Sequence, residues 1–216
     1  MAAPLPVAVL ISGRGSNMAA IARAGLDGSI DARITGVVSD RAGAGGLEIA
    51  RELGISTAVL PPGDFASRQA YGAALAGLVE ATGARLVALA GFMRILDPCF
   101  VRAFEGRLLN IHPSLLPRFP GLHTHRRVLE AGDAEHGCTV HFVNDDLDAG
   151  PRIVQARIKV DPDDDEESLS ARVQRWEHRI YPEAVGWFAA GRLACRDGYA
   201  WLDGHRLDEP VQRGET

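Results

Sequence analysis

The chain has few of the residues that would staple or anchor it. Its three cysteines, Cys99, Cys138 and Cys195, are odd in number and widely spaced. They offer no disulfide framework and point to reduced thiols in a cytosol-like compartment. Val7–Ile11 is apolar but far too short to span a bilayer. Met1–Pro6 lacks the basic start and long apolar core of a secretion signal and reads as loose. Excess positive charge is also missing: the net charge of −5 gives no hint of a nucleic-acid or anionic-membrane partner. Any bound anion must therefore be held by a local device. There is no internal repeat and no low-complexity tract, and the sharpest bias, the acidic run Asp161–Glu167, reads as a solvated helix start. What remains is ordinary globular composition, 46% apolar and 24% charged, at a length that buries a core without staples. One domain over 1–216 is expected, with halves at about 7–110 and about 111–216.

Apolar runs alternate with helical patterns. Strands are expected at Val7–Ser12, Ile34–Ser39, Thr57–Leu60, Leu86–Ala90 and Arg107–Ile111. Helices are expected from Asn17 to Gly25, from Ala44 to Leu53 and from a cap at Asp64 to Thr82, with a further start at Asp97-Pro98. Such alternation implies parallel βαβ units, an α/β fold with a doubly wound, mostly parallel sheet. The second half departs from it. His123–Ala131 suits a helix, Thr139–Val143 and Ile153–Val160 suit strands, Ser168–Ala190 suits a long helix, and Leu193–Leu207 suits a small terminal hairpin. These pieces form a late antiparallel extension.

Three segments carry chemistry. Ser12-Gly13-Arg14-Gly15-Ser16-Asn17 joins the first strand to the first helix, where glycines admit an anion and free N–H groups point at it. It lacks the Lys-Ser/Thr of a Walker loop, and Met18 replaces the third glycine of the dinucleotide fingerprint, although Asp40 stands where a ribose-binding acid belongs. A plain glycine turn stays open as a reading. Asn110 and His112 alternate to the same side of a strand end, an amide and a titratable ring suited to a carbonyl that gains negative charge. A histidine at a strand end also serves as a satisfied core group. Asn144–Gly150 is an acidic loop, and Asp148, if folded over the strand end, favours the imidazolium of His112. His123, His125, His136 and His141 complete a histidine-rich stretch. Without a Cys-x-x-Cys or His-Glu-x-x-His signature they read as structural, and no metal is expected.

In order and spacing, VLISGRGSN (Val9–Asn17), AGFMRIL (Ala90–Leu96), LLNIHPSLLPRFPGLHTH (Leu108–His125), HGCTVHFV (His136–Val143) and LDAGP (Leu147–Pro151) resemble the phosphoribosylglycinamide formyltransferase family, and the resemblance runs almost end to end. It implies a Rossmann-like formyltransferase fold. It also implies transfer of the formyl group of 10-formyltetrahydrofolate to the amine of 5'-phosphoribosylglycinamide, by direct amine attack through a tetrahedral intermediate, in purine synthesis. By the same resemblance Asn110, His112 and Asp148 match the catalytic trio. Gly15, Ser16, Asn17 and Glu177 match ribonucleotide contacts. Arg68, Met93, Arg94, Ile95, Leu96, Asn110, Val143, Asn144, Asp145, Asp146, Leu147 and Asp148 match folate contacts. Taken alone, Glu177 and Arg68 read as helix-surface charges. The resemblance implies small-molecule partners, no nucleic acid or membrane, a cytoplasmic location and a monomer or homodimer. Arg14, in place of a small polar residue, and Ala149, in place of a glycine, depart from familiar members.

Two other readings stay open. A formyltetrahydrofolate hydrolase-like enzyme would use the same trio on water and leave the glycine loop unexplained. A non-catalytic Rossmann-type nucleotide-binding module would use the loop and Asp40 and leave the trio without a task.

Overall fold

Val7–Ile11, apolar throughout and fully buried, forms most of β1 (Leu5–Ile11), the central strand of the first half. The structure, a computed structural model, describes residues 3–215. Leu5 and Pro6, expected to be loose, belong to β1, where the Leu5 amide donates to the Asp31 carbonyl. Met1 and Ala2 lie outside the described residues. The remaining elements of the first half are α1 (Ser16–Leu26), β2 (Ala32–Ser39), α2 (Gly45–Glu52), β3 (Thr57–Val59), α3 (Arg68–Ala81), β4 (Leu86–Leu89), α4 (Pro98–Ala103) and β5 (Leu108–His112). The chain divides into two units between Asn110 and Ile111.

In the first unit β1 pairs in parallel with β2 and β4, β2 with β3, and β4 with β5. The order is β3-β2-β1-β4-β5, so the chain winds outward to β3 and then returns past β1. Right-handed crossovers place α1 and α2 on one face and α3 and α4 on the other, the doubly wound arrangement expected. The reversal lies between β1 and β4, whose carboxyl ends release Ser12–Gly15 and Ala90–Leu96. That is where such sheets bind ligands.

The local signals mostly acted as expected. Asp97 caps α4 by accepting from Cys99 N, with Pro98 at the first helical position. The cap expected at Asp64 is displaced. Pro61-Pro62 set a 3-10 turn over Pro62–Asp64, and α3 starts four residues later, capped by Ser67, whose hydroxyl accepts from Ala70 N at 3.1 Å.

The second unit contains α5 (Thr124–Ala131), β6 (Glu135–Phe142), β7 (Arg152–Lys159), α6 (Glu166–Ala189), β8 (Leu193–Arg196), β9 (Tyr199–Leu202), β10 (His205–Arg206) and β11 (Val211–Gly214). β6 and β7 are antiparallel, the late extension expected, although β6 begins four residues earlier than its apolar pattern suggested. The terminal hairpin is instead a three-stranded antiparallel sheet, β10-β9-β8. Two Asp-Gly pairs explain it. Asp197-Gly198 and Asp203-Gly204 all have positive φ, from 51° to 80°, the geometry of tight primed turns, so the chain reverses twice. β11 pairs in parallel with β7 and was missed because Val-Gln-Arg-Gly has no apolar alternation. The acidic run is more than a solvated helix start. Asp161 and Asp164 both pair with Arg172, and Asp165 caps α6 in a reciprocal exchange with Ser168.

Replacing Asp165 by alanine removes the carboxylate that accepts from Ser168 N and leaves the backbone N–H of residue 165 donating to Ser168 Oγ. Urea unfolding should show a loss of about 1 kcal/mol with an unchanged m-value.

Candidate active site

The first unit presents a loop and a braced connection. Gly15, at φ 74°, is the residue before α1, whose start has no side-chain cap. A Cβ here would come within 2.5 Å of the Gly46 Cα, and Gly46 N donates to the Gly13 carbonyl at 3.0 Å. Only glycine fits so close a crossing, and α1 begins directly after it at Ser16. Met18 is fully buried, so the third-glycine position is filled as core.

Asp40 does not wait for a ribose. Its carboxylate, with no exposed side-chain area, accepts from Arg94 Nε at 2.7 Å. Burial and that carboxylate push the nearby Tyr71 hydroxyl up to about 12, against the opposing pull of Arg94. The connection after β4 is tied down at three points. Met93 N donates to Ser12 Oγ at 2.8 Å, Arg94 reaches Asp40, and the Leu96 carbonyl accepts from Arg68 Nη2. Between these ties Met93 and Ile95 hold 55% and 66% exposed apolar side chains in solvent.

In the second unit His112, which ends β5, and Asp148 come together. His112 Nδ1 lies 3.4 Å from Asp148 Oδ2, with 7% and 8% of the two side chains exposed. His112 Nε2 is 3.0 Å from the Phe119 carbonyl, and Gly121 N donates to Asp148 Oδ2 at 2.8 Å. Both ring nitrogens thus face acceptors, an arrangement that only a doubly protonated ring satisfies in full. Asp148 has φ 52°, a left-handed conformation that aims its carboxylate inward from the exposed stretch Asn144–Leu147. Val143 is half-buried, and Asp146 N turns back to Asn144 Oδ1 at 3.2 Å. Asn110 precedes His112 by two residues on β5 and is half-exposed.

His141 Nε2 approaches Asp148 Oδ1 at 3.9 Å while its Nδ1 donates to the Phe142 carbonyl at 2.8 Å. Burial pushes this ring down to about 4, so it stays neutral near pH 7. His125 Nδ1 and His136 Nε2 share a hydrogen bond at 2.9 Å. Burial, together with the His125 charge, takes His136 down to about 3. His123 stands apart at the start of α5. Among the described residues no three His, Cys, Asp or Glu side chains form a group that could hold a metal ion. Cys138 is buried and its thiol is pushed up by burial and then by Glu177, which leaves it unreactive. Glu177 itself is 8% exposed on α6 and is not the surface charge that its local pattern suggested. The backbone groups of Phe119 and Gly121 carried no residue-type signal, and neither did the Asp40–Arg94 tie.

A doubly wound sheet with a glycine loop at its reversal, in the first unit, and a buried imidazole–carboxylate pair, in the second, define a class: an α/β protein of the Rossmann-like kind. The comparisons make that class specific. Residues 5–185 match the family model described as formyl transferase. A phosphoribosylglycinamide formyltransferase of Escherichia coli (strain K12) is 53% identical over 93% of this chain and 95% of its own length. Solved structures agree. One of a phosphoribosylglycinamide formyltransferase from Coxiella burnetii superposes with a TM-score of 0.93 at 45% identity, covering 97% of this chain and 99% of that one. One of glycinamide ribonucleotide transformylase 1 from Symbiobacterium toebii gives 0.91 at 46%, covering 94% and 95%. The chain belongs to the formyl transferase family.

The buried histidines set an acid limit on stability. His136 takes up a proton near pH 6.5 when unfolded but only near 3 when folded, so the unfolded chain binds more protons as pH falls. Its contribution is complete above pH 6.5 and is lost below it. Between pH 7.5 and 5 the loss is about 2 kcal/mol. His136→Gln should flatten the fall of the urea midpoint over that range by this amount, and a slope equal to wild type would refute the assignment.

Proposed function

We propose that the chain transfers the formyl group of 10-formyltetrahydrofolate to the amine of phosphoribosylglycinamide. The observation that carries this reading is the close His112–Asp148 pair in a chain so similar, along its length, to phosphoribosylglycinamide formyltransferases. The amine attacks the formyl carbon directly, through a tetrahedral intermediate. Asn110 donates to the oxygen as it becomes negative, and His112, charged, stabilises the same oxygen and moves a proton. Asp148 orients His112 and keeps it charged. Gly15, Ser16 and Asn17 take the ribonucleotide phosphate on the start of α1, and Glu177 takes a polar group of the same substrate. Arg68, Met93, Arg94, Ile95 and Leu96, with Val143 through Asp148, bind the folate.

Bringing amine and formyl carbon together supplies the entropic part of the acceleration, and the oxyanion donor adds about 2.7–4 kcal/mol. The enzyme works in the cytoplasm as a monomer or homodimer and needs no metal. A nucleotide-binding module in the Rossmann manner is disfavoured because Arg94 already occupies Asp40.

Release of tetrahydrofolate should require phosphoribosylglycinamide. Asn110→Ala should lower kcat by about 10²–10³-fold, and His112→Ala should abolish release. Release without that acceptor would identify a hydrolase and overturn the transferase reading.

A further inference from the structure

The segment Arg118–His123 belongs to no helix or strand, yet it grips both members of the histidine–carboxylate pair. The Phe119 carbonyl takes the His112 Nε2 proton at 3.0 Å, and the Gly121 amide donates to Asp148 Oδ2 at 2.8 Å. The angle between ring and carboxylate is therefore only as well defined as this stretch of backbone. The backbone does not hold its shape unaided. Phe119 and His123 have φ values of 53° and 57°, left-handed conformations that side chains other than glycine disfavour. Such a shape persists only where its surroundings impose it.

The side chain that imposes it is Arg127, half-buried in the first turn of α5. Its Nη1 donates to the Pro120 carbonyl at 2.5 Å and lies 3.4 Å from the Leu122 carbonyl, and its guanidinium sits 5.4 Å from the Phe119 ring centroid. One planar group thus reaches the ring of Phe119, whose carbonyl faces His112, and the carbonyls of Pro120 and Leu122, which flank the Gly121 amide that holds Asp148. The geometry suits arginine specifically, since a flat fork can stack on a ring while donating from its edge. Arg118 covers the same ring at 5.2 Å but is drawn away by Asp133 at 2.5 Å, so it adds a ring contact without holding the loop carbonyls.

We infer that Arg127 is a positioning residue for formyl transfer. It holds Phe119–Leu122 in place and through that backbone fixes the His112–Asp148 alignment. This inference rests on the transferase reading for its kinetic consequence, but its structural part stands without it. Arg127 touches neither catalytic side chain, so its loss should appear in the chemical step rather than in substrate binding.

The test uses Arg127→Ala and Arg127→Lys in the full chain. Arg127→Ala should lower kcat roughly 10- to 100-fold, the scale for misplaced reacting groups, with both KM values within about twofold of wild type. Arg127→Lys, which can still donate to the Pro120 carbonyl, should recover part of kcat, and it also decides the matter if the alanine variant does not fold. In proton–nitrogen spectra of histidine-labelled protein, the slowly exchanging His112 Nε2–H signal present in wild type should vanish in Arg127→Ala and persist in Arg127→Lys. Unchanged kcat together with an unchanged His112 signal would overturn the inference. A wild-type chain that releases no tetrahydrofolate in the presence of phosphoribosylglycinamide would instead overturn the transferase reading, leaving the His112 signal to decide the role of Arg127.

Discussion

An imidazole and a carboxylate almost wholly removed from water must be fully hydrogen-bonded, because an unpaired buried charge costs far more than a pair returns. The His112–Asp148 contact in the second unit sets that requirement, and the surrounding chain answers it. His112 needs a second acceptor and finds the Phe119 carbonyl, while Asp148 needs a backbone donor and finds Gly121. Thr139, on β6, accepts from Leu116 N and donates to the Ser114 carbonyl, and Gln155 and Arg152, on β7, both reach the Leu116 carbonyl. The proline-bounded segment after His112 is thereby tied to β6 and β7. Two antiparallel strands that look like a decorative extension in the sequence are the wall to which the segment after His112 is tied.

Burial keeps two other histidines of this unit, His136 and His141, uncharged. His136 and His141 are held neutral near pH 7, each with a hydrogen-bond partner that tolerates neutrality. A cationic ring at His141, 3.9 Å from Asp148, would compete with His112 for that carboxylate, and burial prevents it. The first unit works differently. There the polar ties, Arg94 to Asp40 and Arg68 to Leu96, brace a connection whose apolar side chains remain exposed. The polar ties go to rigidity, and Met93 and Ile95 stay exposed between them.

Much of the fold was legible because its signals are local. Apolar runs at Val7–Ile11 and Leu86–Leu89 are strands, Asp97-Pro98 opens a helix, and their alternation implied a doubly wound parallel sheet. The errors were also local in origin. Asp64 and Ser67 are both good caps, and the proline pair before them decided between the two. The two Asp-Gly turns at the C-terminus carry a local signal, since each pair takes up positive φ and reverses the chain. β11 was not readable, since a short polar strand forms only because β7 offers it an edge.

The candidate site divides along the same line. The residues of the chain alone specify the glycine loop, the Asn110-x-His112 spacing and the family motifs, because each depends on neighbours a few positions apart whose geometry the backbone dictates. Folding alone settled that Asp40 belongs to Arg94, that Glu177 turns inward, that His141 is neutral, and that Phe119 and Gly121 hold the His112–Asp148 pair through their backbone. Those outcomes depend on burial and on contacts between distant segments. Neither has a signature in residue type, since a carbonyl or an amide is the same in every residue until packing decides what it faces.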